Sequence, residues 1–296
     1  MRTAFLTTVL LSLSAVPALA NGPCAQLLAG NDAIEHQAGF TVTELPDGCV
    51  VENGRLRLNG FTGWAFDHAE ITGDGLPGLL PGAADWPGRL PSWGRFSADG
   101  VRFSAQTNNA FSNYIMSIQQ WPMDMSAAFR YDAKEGLLDI QEMQITNLRL
   151  GKAALSAQLT LPKDTDAGHL VASGSAGLTH LRLRLDNMGM FEGLAIPALA
   201  AALQEATGTD DPAKSLKQFQ VAAAVALGAL PDSRIDADSR TALSRFVQDL
   251  PHPSGFFTLD ITFAKPLQIG ENMTQPTQLA QLVLADAKIK ARYEAR

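Results

Sequence analysis

Five histidines, at positions 36, 68, 169, 180 and 252, and two cysteines, Cys24 and Cys49, are the residues of this chain whose types most readily do chemistry. An imidazole titrates near neutral pH and can serve as a base or a metal ligand, but it needs a partner close by. His68 stands beside a carboxylate, in Asp67-His68, but neighbours on a strand project to opposite faces, so the two do not form a catalytic couple. Asp210-Asp211 offers two carboxylates to a cation, yet an aspartate directly ahead of Pro212 is first of all a helix cap. "SGSAG" (173–177) has the wrong order for a nucleophile elbow and reads as a turn between strands. There is no His-Glu-x-x-His, no phosphate loop and no dinucleotide glycine pattern. No catalytic residue, cofactor-binding residue or metal ligand is therefore assigned. Asn272-Met273-Thr274 matches a glycosylation acceptor. The stretch "HLRLRLDNMGMFEGL" (180–194) starts as an alternating strand and breaks at Asp186-Asn187-Met188-Gly189. A binding turn needs those residues, and so does any strand-to-helix junction; local capping and the tolerance of Asn and Gly account for them.

The chemistry of the two cysteines depends on compartment, and the N-terminus speaks to that. Met1-Arg2-Thr3 is followed by an apolar run from Ala4 to Val16 and by Ala18-Leu19-Ala20. A basic start, a stretch shorter than the roughly 20 residues of a membrane span and a small-x-small ending read as a secretory signal over 1–20, cleaved after Ala20. The other reading is an uncleaved anchor. Export favours a disulfide between Cys24 and Cys49, which would staple the first segment to the first hairpin; the alternative is two free thiols or half a metal site. Lys and Arg number 23 against 30 Asp and Glu, a net charge of −7, and cleavage would remove only Arg2. That acidic balance argues against nucleic acid as a partner and against a basic membrane-binding surface. No later apolar run is long enough to span a membrane; the richest, Val221 to Leu230, is mostly alanine. Aromatic residues make up 7%, so the core is aliphatic.

From Phe40 onward the chain reads as strand after strand. "FTVTEL" (40–45) alternates and turns at Pro46-Asp47-Gly48, and "CVVENGRLRL" (49–58) carries Asn53-Gly54, a strong signal for a hairpin turn. Trp64 to Ile71 follows. Residues 71–94, rich in Gly and Pro, form no periodic segment and read as one long irregular loop. Strands are expected again at Arg95–Ala105, Ser112–Gln119 and Ala127–Tyr131, then at Gly136–Leu150 and Ala153–Pro162, with a bulge between Ile140 and Met143, and at Leu178–Leu185. The period then changes to helical over Ile196–Gly208, from Asp211-Pro212 to Leu230, and from Asp236 or Asp238 to Leu250. Strand returns at Gly255–Pro266 with Phe257, Leu259, Ile261 and Phe263 on one face, followed by a short helix over 276–285 and a last strand near Lys288–Tyr293. The expected class is α+β: a long curved antiparallel β-sheet, a meander of hairpins, with three short helices inserted near 190–250, all in a single elongated domain over 21–296.

The order of elements in the second half is similar to that of a known group. A strand ending in Asp-Asn-x-Gly ("LRLRLDNMGMFEGL"), a helix block ("DPAKSLKQFQVAAAVALGAL", "SRTALSRFVQDL") and a strand closing on Lys-Pro-Leu-x-Ile ("FFTLDITFAKPLQI") resemble the C-terminal part of the YdgA-like and AsmA-like envelope proteins of Gram-negative bacteria. The strand pair "MQITNLRLGKAALSAQLTLP" is similar to theirs. The resemblance covers about half the chain, mainly 136–270, and rests on pattern, with no reactive motif to carry over. It implies a periplasmic protein with a long curved sheet and, for AsmA-like members, a link to lipid handling.

A sheet with an aliphatic inner face could hold a lipid chain or another hydrophobic ligand in a groove. Packing against the helix block accounts for the same face without a ligand. The expected function is that of a non-enzymatic periplasmic envelope protein that binds a lipid, a hydrophobic ligand or another envelope protein. The alternatives are a secreted hydrolase with a site of unfamiliar form and a protein-binding module that uses a sheet edge.

Overall fold

A computed structural model of the chain describes Cys24 and residues 34–57, 62–75, 90–105, 121–163, 176–193, 195–196, 199, 211–269 and 286–296. Ten strands follow in chain order: β1 (Ile34–Leu45), β2 (Gly48–Arg57), β3 (Thr62–Gly73), β4 (Trp93–Ala105), β5 (Met123–Asp132), β6 (Leu137–Asn147), β7 (Gly151–Thr160), β8 (Ala176–Asn187), β9 (Gly255–Ile269) and β10 (Ala287–Glu294). Each pairs antiparallel with the next, so spatial order equals chain order and the sheet is open, with β1 and β10 at its edges. Helices α1 (Pro212–Ala229) and α2 (Ala237–Gln248), preceded by a helical turn at 190–193, lie between β8 and β9. This is the expected α+β class with a long antiparallel meander.

Residues directly opposite each other in paired strands share a face. Followed across the sheet, the pairing Val42, Val51, Ala69, Ala98, Met125, Ile145, Ala153, Leu185, Phe257, Tyr293 is one unbroken apolar row over all ten strands. A second row beside it runs from Cys49 through Ile71, Phe96, Ala127, Met143, Leu155, Leu183 and Leu259 to Ala291. On the opposite face the corresponding row reads Glu70, Ser97, Ser126, Gln144, Ala154, Arg184, Thr258, Arg292. Bulges keep this order. In β6, Ile140 and Met143 differ by an odd number of residues, and a register shift between them returns both to the apolar face.

The helices cover one end of that face. Asp211 caps α1, its carboxylate accepting from the amides of Ala213 (3.0 Å) and Lys214 (3.2 Å), with Pro212 in the first turn; Asp236 caps α2 by accepting from Ser239 N (2.7 Å). Leu227 of α1 packs with Ile235 against Ile261, Phe263, Ala287 and Ile289. Ala242 of α2 packs with Leu185, Phe257 and Tyr293, and Phe246 stacks on Phe257 with ring centroids 4.0 Å apart. The same segment closes the β10 edge: Ile289 N donates to Arg234 O (2.8 Å) and Ala291 N to Ser239 Oγ (3.0 Å). Outward-facing amides that could recruit another strand are thereby used.

At the strand ends beside these rows, where β8 hands over to the helices, Asn147, Gly151, Asn187 and Gly255 stand opposite one another across four strands. Asn187 is 2% exposed; its side-chain oxygen accepts from Phe191 N (2.8 Å) and Gly189 N (3.3 Å), and its amide donates to Pro253 O and to Glu192 Oε2 (3.0 Å). Asn147 repeats the device, accepting from Arg149 N (2.8 Å) and Leu150 N (2.9 Å) and donating to Pro122 O (2.7 Å). Gly151, at φ +103°, admits no side chain because a Cβ would strike the Asp186 carbonyl. The Asp-Asn-x-Gly break of the sequence is thus a buried capping hub.

Two readings are corrected here. Asn53-Gly54 is not a hairpin turn: β2 runs straight through it, the β1–β2 turn falls at Pro46-Asp47, and Asn53 (φ 54°) answers a register shift in β1 by donating to Gly39 O (3.1 Å). Gly54 is needed because the Phe66 ring lies where a Cβ would be. The irregular segment is also shorter than 71–94, since β3 continues to Gly73 and β4 starts at Trp93. The expected strand 112–119, most of the helix 196–208 and the helix 276–285 lie outside the described residues. Replacing Asn187 by Ala leaves two amides and a buried carbonyl without a partner and should lower stability by about 3 kcal/mol, read from urea denaturation midpoints. Asn147→Ala, at an equivalent hub, should cost about 2 kcal/mol in the same assay.

Candidate functional site

The residues singled out for chemistry resolve mostly into structural roles. Cys24 and Cys49 form a disulfide with their Cα atoms 5.8 Å apart, which ties the segment before β1 to β2; Cys24 N also donates to Glu44 Oε1 (3.2 Å). Such a bond is compatible with an oxidising compartment. Asp67 and His68 do point apart: Asp67 pairs with Arg102, and His68 Nδ1 meets Glu52 Oε1 at 2.9 Å across the β2–β3 pair. That hydrogen bond, opposed by partial burial and aided by the field of Glu52, Asp99 and Glu70, raises the His68 pKa above 6.5. Asp211 caps α1; Asp210, His169 and Asn272 lie outside the described residues, as does the side chain of His36. His252 is largely exposed and 3.7 Å from Glu192.

One grouping escaped the sequence. His180 Nε2 lies 3.1 Å from Asp260 Oδ1, and Arg182 Nε donates to Asp260 Oδ2 at 2.8 Å. Burial would raise the Asp260 pKa, but the bonds from Arg182 and His180 outweigh it and hold the carboxyl below the usual range. The partners are 80 residues apart in sequence, and only the β8–β9 pairing brings them together. The alternation of polar and apolar residues on both strands was the available signal. Among the described residues, no hydroxyl or thiol nucleophile is bonded to the trio, and no group of three His, Cys, Asp or Glu side chains is placed to hold a metal ion. Nor is any described helix long and apolar enough to cross a membrane.

The larger feature is the middle of the apolar face. At its covered end Leu185, Phe257 and Tyr293 are 6%, 3% and 6% exposed, whereas Phe96 and Met143, in the neighbouring row on β4 and β6, are 37% and 45% exposed. Met125, Ala127, Phe129, Ile140, Ile145 and Leu155 between them are only half-buried. Ten strands at about 4.8 Å spacing make a sheet roughly 43 Å across, and the helices reach only one end of it. Among the described residues, the helix block packs from β7 to β10; a smaller buried cluster of Ala69, Ala98 and Val101 sits on β3 and β4, and the half-exposed side chains lie between the two. Next to this area a 520 Å³ hollow is floored by Gly94 and Phe129 and bordered by Trp93, Arg95, Arg130 and Gln141. Its rim is held where the chain enters β4, by Asp74, whose carboxylate accepts from Ser92 Oγ (2.6 Å) and Trp93 N (3.0 Å).

No protein-family model matches the chain, and no curated protein matches it either. The resemblance to envelope proteins in the second half accordingly rests on the pattern of elements alone.

Two measurements check the roles assigned here. Because the folded pKa of His68 is raised, its pairing with Glu52 stabilises the fold fully below about pH 6.5 and this contribution disappears as pH rises through the higher folded value. An NMR titration should place the His68 midpoint above 6.5, and Glu52→Gln should return it toward that value. Replacing Cys24 and Cys49 together by Ser should lower stability by about 3 kcal/mol in denaturant unfolding, through the freed loop entropy.

Proposed function

We propose that this is a non-enzymatic, exported envelope protein of the periplasm that binds the acyl chain of a lipid, or a similar hydrophobic ligand, on the uncovered part of its apolar sheet face. One observation carries the reading: the apolar rows continue from β4 to β6, yet beyond the buried Ala98 their side chains there, Phe96, Met125, Ala127, Met143 and Ile145, stay half-buried or exposed. Contiguous apolar surface of this kind on a folded chain marks a binding surface. Its lining supports a chain-like ligand in particular. Phe96, Ala127, Ile140, Met143, Ile145 and Leu155 are mainly aliphatic, and methionine adapts to flexible partners. Each methylene removed from water adds about 0.8 kcal/mol, so a long chain laid along the rows binds tightly without a polar anchor. The disulfide is compatible with the exported location, and the resemblance to AsmA-like proteins points toward lipid handling.

Protein purified from the periplasm is expected to carry lipid mass in native mass spectrometry and to bind a fluorescent long-chain fatty acid. Met143→Asp puts a charge in the apolar row at a position exposed enough to leave the fold intact, and should weaken probe binding about tenfold or more. Gln144→Asp, one residue along and on the polar face, should leave it unchanged. Absence of co-purifying lipid together with equal probe affinity in both variants would sink the reading.

A further inference from the structure

We infer that the β10 edge of the sheet, where the charged rows of β8, β9 and β10 meet the flank of α2, carries a second site, one for a phosphate-bearing small molecule or headgroup. A groove of 760 Å³ lies there, and five cations line it: Arg182, Arg184, Arg245, Lys290 and Arg292. Its carboxylates are Asp236, Asp238 and Asp260, so the groove is net positive in a chain whose net charge is −7. Two of the three acids are already engaged. Asp260 holds His180 and Arg182, the latter through both its Nε (2.8 Å) and Nη2 (2.7 Å), and Asp236 caps α2.

The register then places the remaining cations. Arg184, Thr258 and Arg292 stand directly opposite one another on three adjacent strands. Two strand spacings put the two arginine Cα atoms roughly 10 Å apart, with the Thr258 hydroxyl between them. A tetrahedral oxyanion fits between two guanidinium forks at that separation, each able to give a pair of parallel N–H bonds, with a hydroxyl donor beneath. Arg184 is steadied from the far side by Glu142 (3.0 Å) and is 56% exposed. Among the described residues, Arg292, Lys290 and Arg245 have no ion-pair partner; Lys290 acts on Asp236, and Arg245 on Tyr293, only through the longer-range field. The next row, Arg182–Asp260–Lys290, already holds a carboxylate at its centre, which is the place the anion takes in the first row. A volume of 760 Å³ exceeds a bare inorganic ion and falls in the range of small-molecule sites, so the anion belongs to a phosphate ester of glycerol or sugar size. That ester can be a free metabolite or the headgroup of a phospholipid; the recognition chemistry is shared. The site is independent of the apolar-face reading, because its residues lie on β8–β10 and α2 and none lies on β4–β6.

Calorimetric titration with glycerol 3-phosphate and with glycerol, and flotation with phosphatidylglycerol against phosphatidylcholine vesicles, test the proposal on the whole exported chain. Glycerol 3-phosphate or phosphatidylglycerol vesicles should bind, with affinity that falls as salt is raised, while glycerol and phosphatidylcholine should not. Binding of the soluble ester alone assigns a free metabolite, and binding of the vesicles alone assigns a lipid headgroup; both support the site. Arg184→Gln/Arg292→Gln should weaken binding tenfold or more at unchanged thermal stability, and Arg245→Gln, on the helix wall, should weaken it several-fold. Met143→Asp should leave it unaltered, which separates this site from the acyl-chain surface. The proposal is overturned if neither phosphate-bearing probe binds the wild-type chain, or if the double variant binds as tightly as wild type.

Discussion

Paired strands present opposite residues to the same side, so a meander of ten strands keeps one apolar face only if every register is in phase with the one before. A single-residue slip at any of the nine pairings would turn the apolar rows of all later strands toward water. The chain meets this constraint with bulges where its own alternation falters, as between Ile140 and Met143, and with turns and caps that pin strand ends, as at Asn147 and Asn187. The residue sequence along each strand therefore has meaning only relative to its neighbours, and the two faces differ in chemistry across the full width of the sheet.

That width sets the second condition. An apolar face of this extent would ordinarily require a second layer along its whole length. The helix block supplies one over β7–β10, where Phe246, Phe257 and Tyr293 interlock and where Arg234 and Ser239 also take up the edge amides of β10. Over β4–β6 the helices supply none, and beside the buried Ala98 and Val101 the side chains of Phe96, Met125, Ala127, Met143 and Ile145 stay half-buried or exposed. The well-packed end holds the sheet in shape, and the less covered middle is where the apolar ligand proposed above would add contacts, since burial of surface that folding has left wet is favourable.

The polar face follows a different logic. Its charges do not add much to stability, since pairs such as Arg184–Glu142 and Arg102–Asp67 are exposed and screened. Their value lies in arrangement. Alternating Arg182 and Arg184 on β8 against Lys288, Lys290 and Arg292 on β10 concentrates positive charge over three strands of an otherwise acidic chain. Asp260 offsets one row of that charge from within, whereas the other has Thr258 at its centre and a carboxylate, Glu142, only at its Arg184 end.

Local signals were enough for the elements with short-range causes. Strict alternation in Gly255–Pro266 and Ala153–Pro162, the bulge at Ile140–Met143, and the Asp caps of both helices are stated by residues within a few positions of each other. Export and the pairing of Cys24 with Cys49 were likewise expected from the N-terminal pattern, and the disulfide is formed. Asn53-Gly54 misled because a residue at positive φ serves a bulge as well as a turn, and the choice lay with the Phe66 ring from the next strand. Asp186-Asn187-x-Gly189 looked like a loop with chemical potential, yet its main residue is buried under Pro253, 66 positions away. The sequence by itself determined which side of each strand is apolar and where the helices fall. Tertiary structure alone decided which rows those sides join, how far the helices reach over them, and which charges meet across strands, because each of these depends on residues that pairing brings together from distant parts of the chain.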